Sequence, residues 1–418
     1  MTPHSLIPRL LLILGVIFLL DLYIFSGIRD AFSSARSRFF VSLGYWGLTI
    51  AFYLLAIYMF LSFSRDEGPA APPVKWTMGM LMFLYIPKIV MLFFFGVEDI
   101  YRLFRAGGVG IYKLTGFTTD VPYFESRRQF IGWMAGFVAA IPALGILHGI
   151  VKGKYNFKVH RSELSFKDLP DAFHGMTITQ ISDLHIGSFD DAEAVNHAVN
   201  LINEQKSDII FFTGDLVNDK ATEMEPWADV FSKLKAPMGK YSILGNHDYG
   251  DYLQWPSAQA KQENMQRLFK THEQLGFKLL RNENTRIEKD GEHLELLGME
   301  NWGKGFAQYG DFNKTLKGTK DGAFKILLSH DPSHWEEQVM NHKTHIHLTL
   351  AGHTHGAQFG LEIPGLRFSP AQLKYKRWAG LYEENNRYLY VNRGLGFIGF
   401  PGRVGIWPEV TVITLKKA

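Results

Sequence analysis

The sequence predicts a bundle of membrane-spanning helices followed by an α/β domain. Three observations carry this expectation. Long apolar stretches with little charge are confined to the N-terminal part of the chain. From Tyr155 onward, short apolar runs alternate with helix-spaced amphipathic segments. Most of these runs end in polar, Gly-rich turns, where α/β folds hold their sites. At 418 residues the chain exceeds one average domain. Its net charge of +3 supplies no basic stripe, so no nucleic-acid partner is expected. There is no cysteine, which excludes disulfides and thiolate ligands.

Region 1–151 holds the expected spans, at 10–28, 39–63, 76–97 and 130–151. The second is charge-free and rich in Leu, Phe and Tyr, long enough at about 1.5 Å per residue to cross a bilayer. The third carries Pro87 and Lys88 and the fourth Pro142 and His148, none of which forbids spanning. Asp21 interrupts the first. A cleaved signal peptide competes for that segment, and three later spans argue for a true helix. The spans offer no conspicuous polar pathway.

Loop charge sets the expected topology. Arg29, Arg36 and Arg38, with Arg102, Arg105, Lys113, Arg127 and Arg128, share one side; Arg65, Lys75, Lys152, Lys154 and Lys158 share the other. The richer side is expected to be cytoplasmic, which puts residues after Val151 on the outer face of the cell membrane. Ser126-Arg127-Arg128-Gln129-Phe130-Ile131 resembles a twin-arginine export signal at an internal position. Two arginines anchoring a helix at the cytoplasmic interface give the same orientation.

The second domain is expected over 155–418. Residues 176–182 alternate like a strand, 190–205 have helical spacing, and 209–212 form a fully apolar strand. Further strands are expected at 240–244, 277–280, 293–297, 325–328, 346–350 and 387–391. Five strand ends carry metal-type ligands in order: Asp183-Leu184-His185, Gly214-Asp215, Gly245-Asn246-His247-Asp248, Ser329-His330-Asp331 and Gly352-His353-Thr354-His355-Gly356. Among 16 histidines an H-x-H pair alone is a weak signal. Five ligand-bearing turns in succession are not what a core requires.

This series resembles the calcineurin-like metallophosphoesterase superfamily, in particular its membrane-attached bacterial branch, from about Phe173 to the C-terminus. Gly394-Leu395-Gly396, Arg403 and Pro408-Glu409 also fit; Ala357, where many relatives have Gly, is a small departure. The resemblance implies a four-layer α/β/β/α sandwich and two divalent metal ions. Asp183, His185, Asp215 and His355 would hold one ion; Asp215, Asn246, His330 and His353 the other, with Asp215 bridging. His247 would be the catalytic histidine outside the ligand set and Asp248 its orienting partner. A carboxylate shared by two repelling cations is physically sensible, and a site of nitrogen and oxygen donors suits Mn, Fe, Zn, Co or Ni. Such ions would bring a bridging water to hydroxide near neutral pH, for in-line attack on phosphorus. Arg393 and Arg403 are candidate phosphate clamps, with structural salt bridges as the alternative. His342, His345 and His347 precede the last ligand turn and are assigned to packing or the surface. Asn218 and Asp219 are expected to cap their loop or to support the ligands from outside, with contact to substrate as the lesser alternative.

The function expected is a membrane-anchored phosphohydrolase acting on a phosphodiester or pyrophosphate, of a phosphorylated small molecule or of a lipid or envelope substrate. A narrower form, UDP-2,3-diacylglucosamine pyrophosphohydrolase of lipid A synthesis, needs a cytoplasmic site. The alternative from another class is a membrane receptor or transporter component with an inactive phosphoesterase domain, against which the complete ligand set argues.

Overall fold

The computed structural model describes residues 3–62, 72–114 and 125–418, and the chain divides into two compact units. The first comprises Met1–Ser62 and Trp76–Leu147, the second Phe63–Lys75 and His148–Ala418. Residues Phe63 and Arg65 of the sequence reading lie outside the described residues.

Helices α1 (Pro3–Asp30), α2 (Ala35–Ser62), α3 (Pro72–Leu114) and α4 (Glu125–Val151) are the apolar segments. Each contains a stretch long and apolar enough to cross a membrane. The α3 helix runs well past the expected 76–97. Its 43 residues reach about 65 Å at ~1.5 Å per residue, beyond a hydrocarbon core of ~30 Å. Its second half carries Glu98, Asp99 and Arg102, and Glu98 pairs with Arg127 at 2.8 Å. Arg128 pairs with Asp30 at 2.9 Å and Asp99 at 3.3 Å, so both arginines of the export-like motif tie α4 to acidic groups of α1 and α3.

The spans, though without a conspicuous polar pathway in sequence, enclose a buried ion pair. Asp21 is fully buried, its carboxylate 2.6 Å from Lys88 Nζ, 2.8 Å from the Tyr53 hydroxyl and 3.0 Å from that of Tyr85. Lys88 also donates to Thr49 Oγ1 at 3.2 Å. These residues lie far apart in sequence, so their pairing was hidden until the helices packed. Charges in an apolar medium persist where they find one another.

The second unit contains two six-stranded sheets. In chain order its strands are β1 (Lys158–Phe166), β2 (Thr177–Ile181), β3 (Ile209–Phe212), β4 (Lys240–Ser242), β5 (Phe277–Leu279), β6 (Glu283–Lys289), β7 (Glu292–Gly298), β8 (Lys325–Leu328), β9 (Leu348–Ala351), β10 (Leu361–Ile363), β11 (Leu366–Phe368), β12 (Gly380–Glu384), β13 (Arg387–Val391) and β14 (Glu409–Lys417). One sheet runs β1-β14-β2-β3-β4-β5 and the other β12-β13-β9-β8-β7-β6; β10 and β11 form a separate hairpin. The ligand-bearing strands β2, β3 and β4 are parallel neighbours, as are β8 and β9, so their C-terminal ends open on a common edge of each sheet.

Strand alternation builds the layers. Ile209 and Phe211 point into a core shared with Ile326, Leu328, Leu348 and Leu350 of the opposite sheet. Ile210 and Phe212 face the other way, onto Val195, Val199 and Ile202 of α5 (Ala192–Glu204). Asp191 caps α5 by accepting the Ala194 N–H at 3.0 Å. The short α6 (Ala228–Phe231) and the longer α7 (Ala258–Gln274) complete that outer layer. Behind the second sheet the cover is thinner: Phe312 of α8 (Phe312–Leu316) and the turn carrying Trp335 and Val339 pack on Leu297, Leu327 and Leu389. The result is the four-layer helix/sheet/sheet/helix sandwich.

Candidate metal centre

Every candidate ligand sits beyond a strand end, and five of them lie in backbone that bends sharply. Asp183, His185, Asp215, His353 and His355 all have positive φ, between 43° and 70°. Left-handed backbone costs a residue with a Cβ about 1–2 kcal/mol, and such strain gathers where a site over-determines the chain. Two glycines make room for these turns. A Cβ on Gly245 would collide with the Asp215 carboxylate, and one on Gly352 with Ser182 Oγ and the Asp183 carboxylate.

The side chains converge as two groups. Asp183, His185 and His355 form one, and Asp215, His330 and His353 the other. In the first, His355 Nε2 lies 3.3 Å from Asp183 Oδ1 and 3.1 Å from His185 Nε2. In the second, His330 Nε2 is 3.1 Å from Asp215 Oδ2 and 3.3 Å from His353 Nδ1. Asn246 Oδ1 joins it, 2.8 Å from His353 Nδ1. Asp215 Oδ2 also stands 3.4 Å from His185 Nε2, so one oxygen faces both groups.

Surrounding contacts aim these atoms. His330 Nδ1 lies 2.7 Å from the Thr213 carbonyl, which fixes the proton there and leaves Nε2 for a cation. His353 Nε2 meets the Tyr375 hydroxyl at 2.8 Å, leaving Nδ1. Asn246 donates its amide to the Tyr252 hydroxyl at 2.7 Å, so its carbonyl oxygen faces the site. Lone pairs of carboxylate, amide oxygen and imidazole thus crowd a buried space at distances that only protons or cations reconcile. The donor set fits divalent metal ions of the borderline type.

The electrostatics agree. Burial works against charge on Asp183, but His355 and His330 hold its carboxyl well below the usual range. Asp215 is likewise buried and held down, chiefly by His330. His330 resists its own burial because Asp215 and Asp183 face it, and is pushed up to about 10. Burial lowers His353 to about 4 and His185 well below its ordinary value. A divalent ion bound between these carboxylates would take the place of a proton on His330, since a ligating imidazole must be neutral.

His247 stands beside the groups without joining either. Its backbone N–H donates to Asp215 Oδ1 at 2.8 Å, and its ring Nδ1 lies 2.8 Å from the Asn218 carbonyl. The Tyr252 ring packs on it, centroids 4.5 Å apart, and the residue is half-buried. Burial pushes its imidazole below the ordinary value.

Two expectations change here. Asp248 does not orient the His247 ring; its carboxylate accepts the backbone N–H groups of Asp215, Leu216, Val217 and Gly245. A carboxylate buried beneath two turns takes the four nearest amides, while the ring one residue away turns to Asn218. Arg393 and Arg403 are not open to substrate. Arg393 forks between Glu409 at 2.5 Å and Glu362 at 2.6 Å. Arg403 is fully buried, donating to the carbonyls of Gly396 and Arg393, with its NH2 group 3.0 Å from His355 Nδ1. His347 accepts the Lys325 N–H and pairs with Asp168, apart from both groups, and the His345 ring packs against it. Asn218 and Asp219 are loop residues whose N–H groups are gathered by Glu223. Tyr375, distant in sequence and without a motif, gave no signal, and Tyr252, a few residues past the Asn246-His247-Asp248 turn, lies in no ligand motif.

Comparison with known proteins agrees with this geometry. Residues 176–357 match the family described as calcineurin-like phosphoesterase, and residues 6–154 one described as probable calcineurin-like phosphoesterase, transmembrane domain. The uncharacterized metallophosphoesterase YkuE of Bacillus subtilis is 32% identical over 70% of this chain and 98% of its own length. The chain belongs to the calcineurin-like metallophosphoesterases. Phosphodiesterase YaeI of Escherichia coli is 28% identical over 69% of this chain and 99% of its own. A transmembrane protein with metallophosphoesterase domain from Danio rerio is 25% identical over 98% of this chain and 89% of its own, membrane region included. This metallophosphoesterase is therefore a membrane-associated, metal-dependent phosphoester hydrolase.

Proposed function

We propose that this chain is a membrane-anchored phosphohydrolase that uses two divalent ions, drawn from Mn, Fe, Zn, Co and Ni, to cleave a phosphodiester or pyrophosphate of a lipid or envelope substrate. The observation that carries this reading is the Asp215 carboxylate: Oδ2 faces His185 on one side and His330 on the other at 3.4 and 3.1 Å. A carboxylate that faces both ligand groups suits a site for two cations, whose mutual repulsion a shared anion offsets. Asp183, His185 and His355 would complete one ion's protein ligands, and Asn246, His330 and His353 the other's. When bound, such a pair activates water for in-line attack and neutralises charge on the phosphoryl oxygens.

The protein's own groups do the rest. Asp248 fixes the Asp215 turn through the amides. His247, its Nδ1 committed to the Asn218 carbonyl, presents its other nitrogen to the leaving oxygen or the phosphoryl group, a contribution of about 10²–10⁴ in rate. The arginine balance of the loops supports an outward-facing catalytic unit.

The test is hydrolysis of bis(4-nitrophenyl) phosphate by the purified chain with added Mn²⁺, alongside metal analysis. D215A is expected to lose both ions and all activity; retention of two ions overturns the shared ligand. H247A is expected to keep its ions and lose most turnover. A chain that binds ions and cleaves nothing with any of these metals overturns the enzyme reading. A reporter fused after Val151 that signals from the cytoplasm overturns the orientation.

A further inference from the structure

The hairpin β10–β11 has its amphipathicity reversed. Its register pairs Leu361 with Phe368 and Ile363 with Leu366, while Glu362 faces Arg367. Residues two apart share a face, so the four apolar side chains stand together on one side. The polar side is the one that docks: Glu362 reaches the buried Arg393 at 2.6 Å, and Arg367 donates to the Tyr382 hydroxyl at 3.2 Å and lies over the Trp378 ring. The apolar side is left in the open, with Leu361, Phe368, Ile363 and Leu366 exposed by 44%, 47%, 50% and 50%. Leu373 follows at 88%, and Lys374 and Lys376 beside it are exposed. Water is a poor solvent for this surface, and a bilayer interface with anionic headgroups suits both its apolar face and its cations.

The hairpin also begins close to residues 148–151, the end of α4 that belongs to the second unit. Within the second unit, which includes the last residues of α4, the Arg403 N–H donates to the Gly149 carbonyl at 3.2 Å. The next residue, Val404, bridges to Phe359, and its carbonyl accepts the Gly360 N–H at 2.9 Å. Leu361 opens β10 immediately afterwards. At its other end the hairpin leads back to the metal centre: Ser369 Oγ donates to the Gly356 carbonyl at 2.6 Å, and Tyr375 holds His353.

We propose that the apolar face of β10–β11, with Leu373, seats in the interface of the bilayer that carries the helices, Lys374 and Lys376 meeting its anionic headgroups, so that the centre takes phosphorylated substrate presented at that surface. The last clause rests on the phosphohydrolase reading above; the seating does not.

The absence of cysteine makes the test direct. L366C and, separately, L373C are labelled with an environment-sensitive nitrobenzoxadiazole in the full chain, reconstituted into vesicles of phosphatidylcholine and phosphatidylglycerol. D290C, on an exposed turn between β6 and β7, is the aqueous reference. The labels at 366 and 373 are expected to shift to the blue, to lose most of their emission to nitroxide-bearing lipids and to resist aqueous iodide, with D290C behaving oppositely. Iodide quenching equal to that of D290C overturns the proposal. So does protection from iodide without lipid quenching, the mark of a second copy of the chain covering the face. The readout needs no turnover: quenching in a chain that hydrolyses nothing upholds the seating and sinks only the phosphohydrolase reading, and turnover without quenching does the reverse.

Discussion

The Asp248 carboxylate accepts the Asp215 backbone N–H at 2.9 Å and, through its other oxygen, the Leu216 N–H at 2.8 Å. It is thereby the clamp on the turn that presents the shared ligand. D248N replaces one acceptor oxygen with a donor that faces N–H groups. The expected result is metal affinity lowered about 10- to 100-fold, as for other groups that orient ligands, with kcat largely restored at saturating metal. Competition titration against a chelator and rates across metal concentration measure this. Full affinity with a collapsed kcat would return Asp248 to the role of partner to His247.

Arg403 gives a second test, because a phosphate clamp and a buried tie fail differently. Its guanidinium serves the carbonyls of Gly396 and Arg393, all buried. R403M leaves these acceptors unpaired, at about 1–3 kcal/mol for each buried group stranded, so a marked drop in melting temperature is expected with KM nearly unchanged in the fraction that folds. R403K is expected to rescue little, since an ammonium cannot reproduce the fork. A raised KM at unaltered melting temperature would restore the clamp.

These two residues show where the sequence was legible. The turns Asp183-Leu184-His185 and Gly352-His353-Thr354-His355 could be read because ligand chemistry is local, in residue type, spacing and a preceding strand, and because five such turns follow in succession. The sheets were legible where a strand is wholly apolar, as at Ile209–Phe212, or carries an apolar run after one charged residue, as at Lys325–Leu328. The alternating β14 was passed over, although it lies between β1 and β2, antiparallel to β2, and seals the first sheet. Direction was the harder quantity. Nothing in Asn246-His247-Asp248 says that the carboxylate turns to amides and the ring to Asn218, because that choice depends on backbone brought in from Asp215 to Asn218. The Asp21–Lys88 pair was invisible for the same reason.

That pair makes the membrane unit testable by itself. Lys88 Nζ lies 2.6 Å from the Asp21 carboxylate, both side chains buried. Removing one partner strands the other, a loss of about 3–5 kcal/mol for buried pairs in soluble proteins. K88M and D21L are each expected to lower the unfolding midpoint of the first unit in detergent, and the double variant D21L/K88M to recover most of the loss. A double variant no better than the worse single one would mean that Tyr53 and Tyr85 hold Asp21 without the lysine.

The acid limb of stability should carry the mark of His272, on the buried side of α7. Its ring packs near Phe212 with centroids 6.0 Å apart, and neither ring nitrogen has a hydrogen-bond partner among the described residues. Burial pushes its pKa down to about 3, against about 6.5 in an unfolded chain. The folded state therefore binds fewer protons than the unfolded one between those values. The His272 contribution is intact above pH ~6.5 and is lost as pH falls toward 3, at up to about 1.4 kcal/mol per pH unit. H272F keeps an aromatic ring against Phe212 and cannot titrate. In chelator, so that metal release does not intrude, its unfolding free energy is expected to match or exceed that of the native chain at pH 8. Below pH 6 it should fall less steeply by one proton's slope. Acid limbs that superimpose would mean that His272 is charged in the fold, and that a partner for it forms in solution.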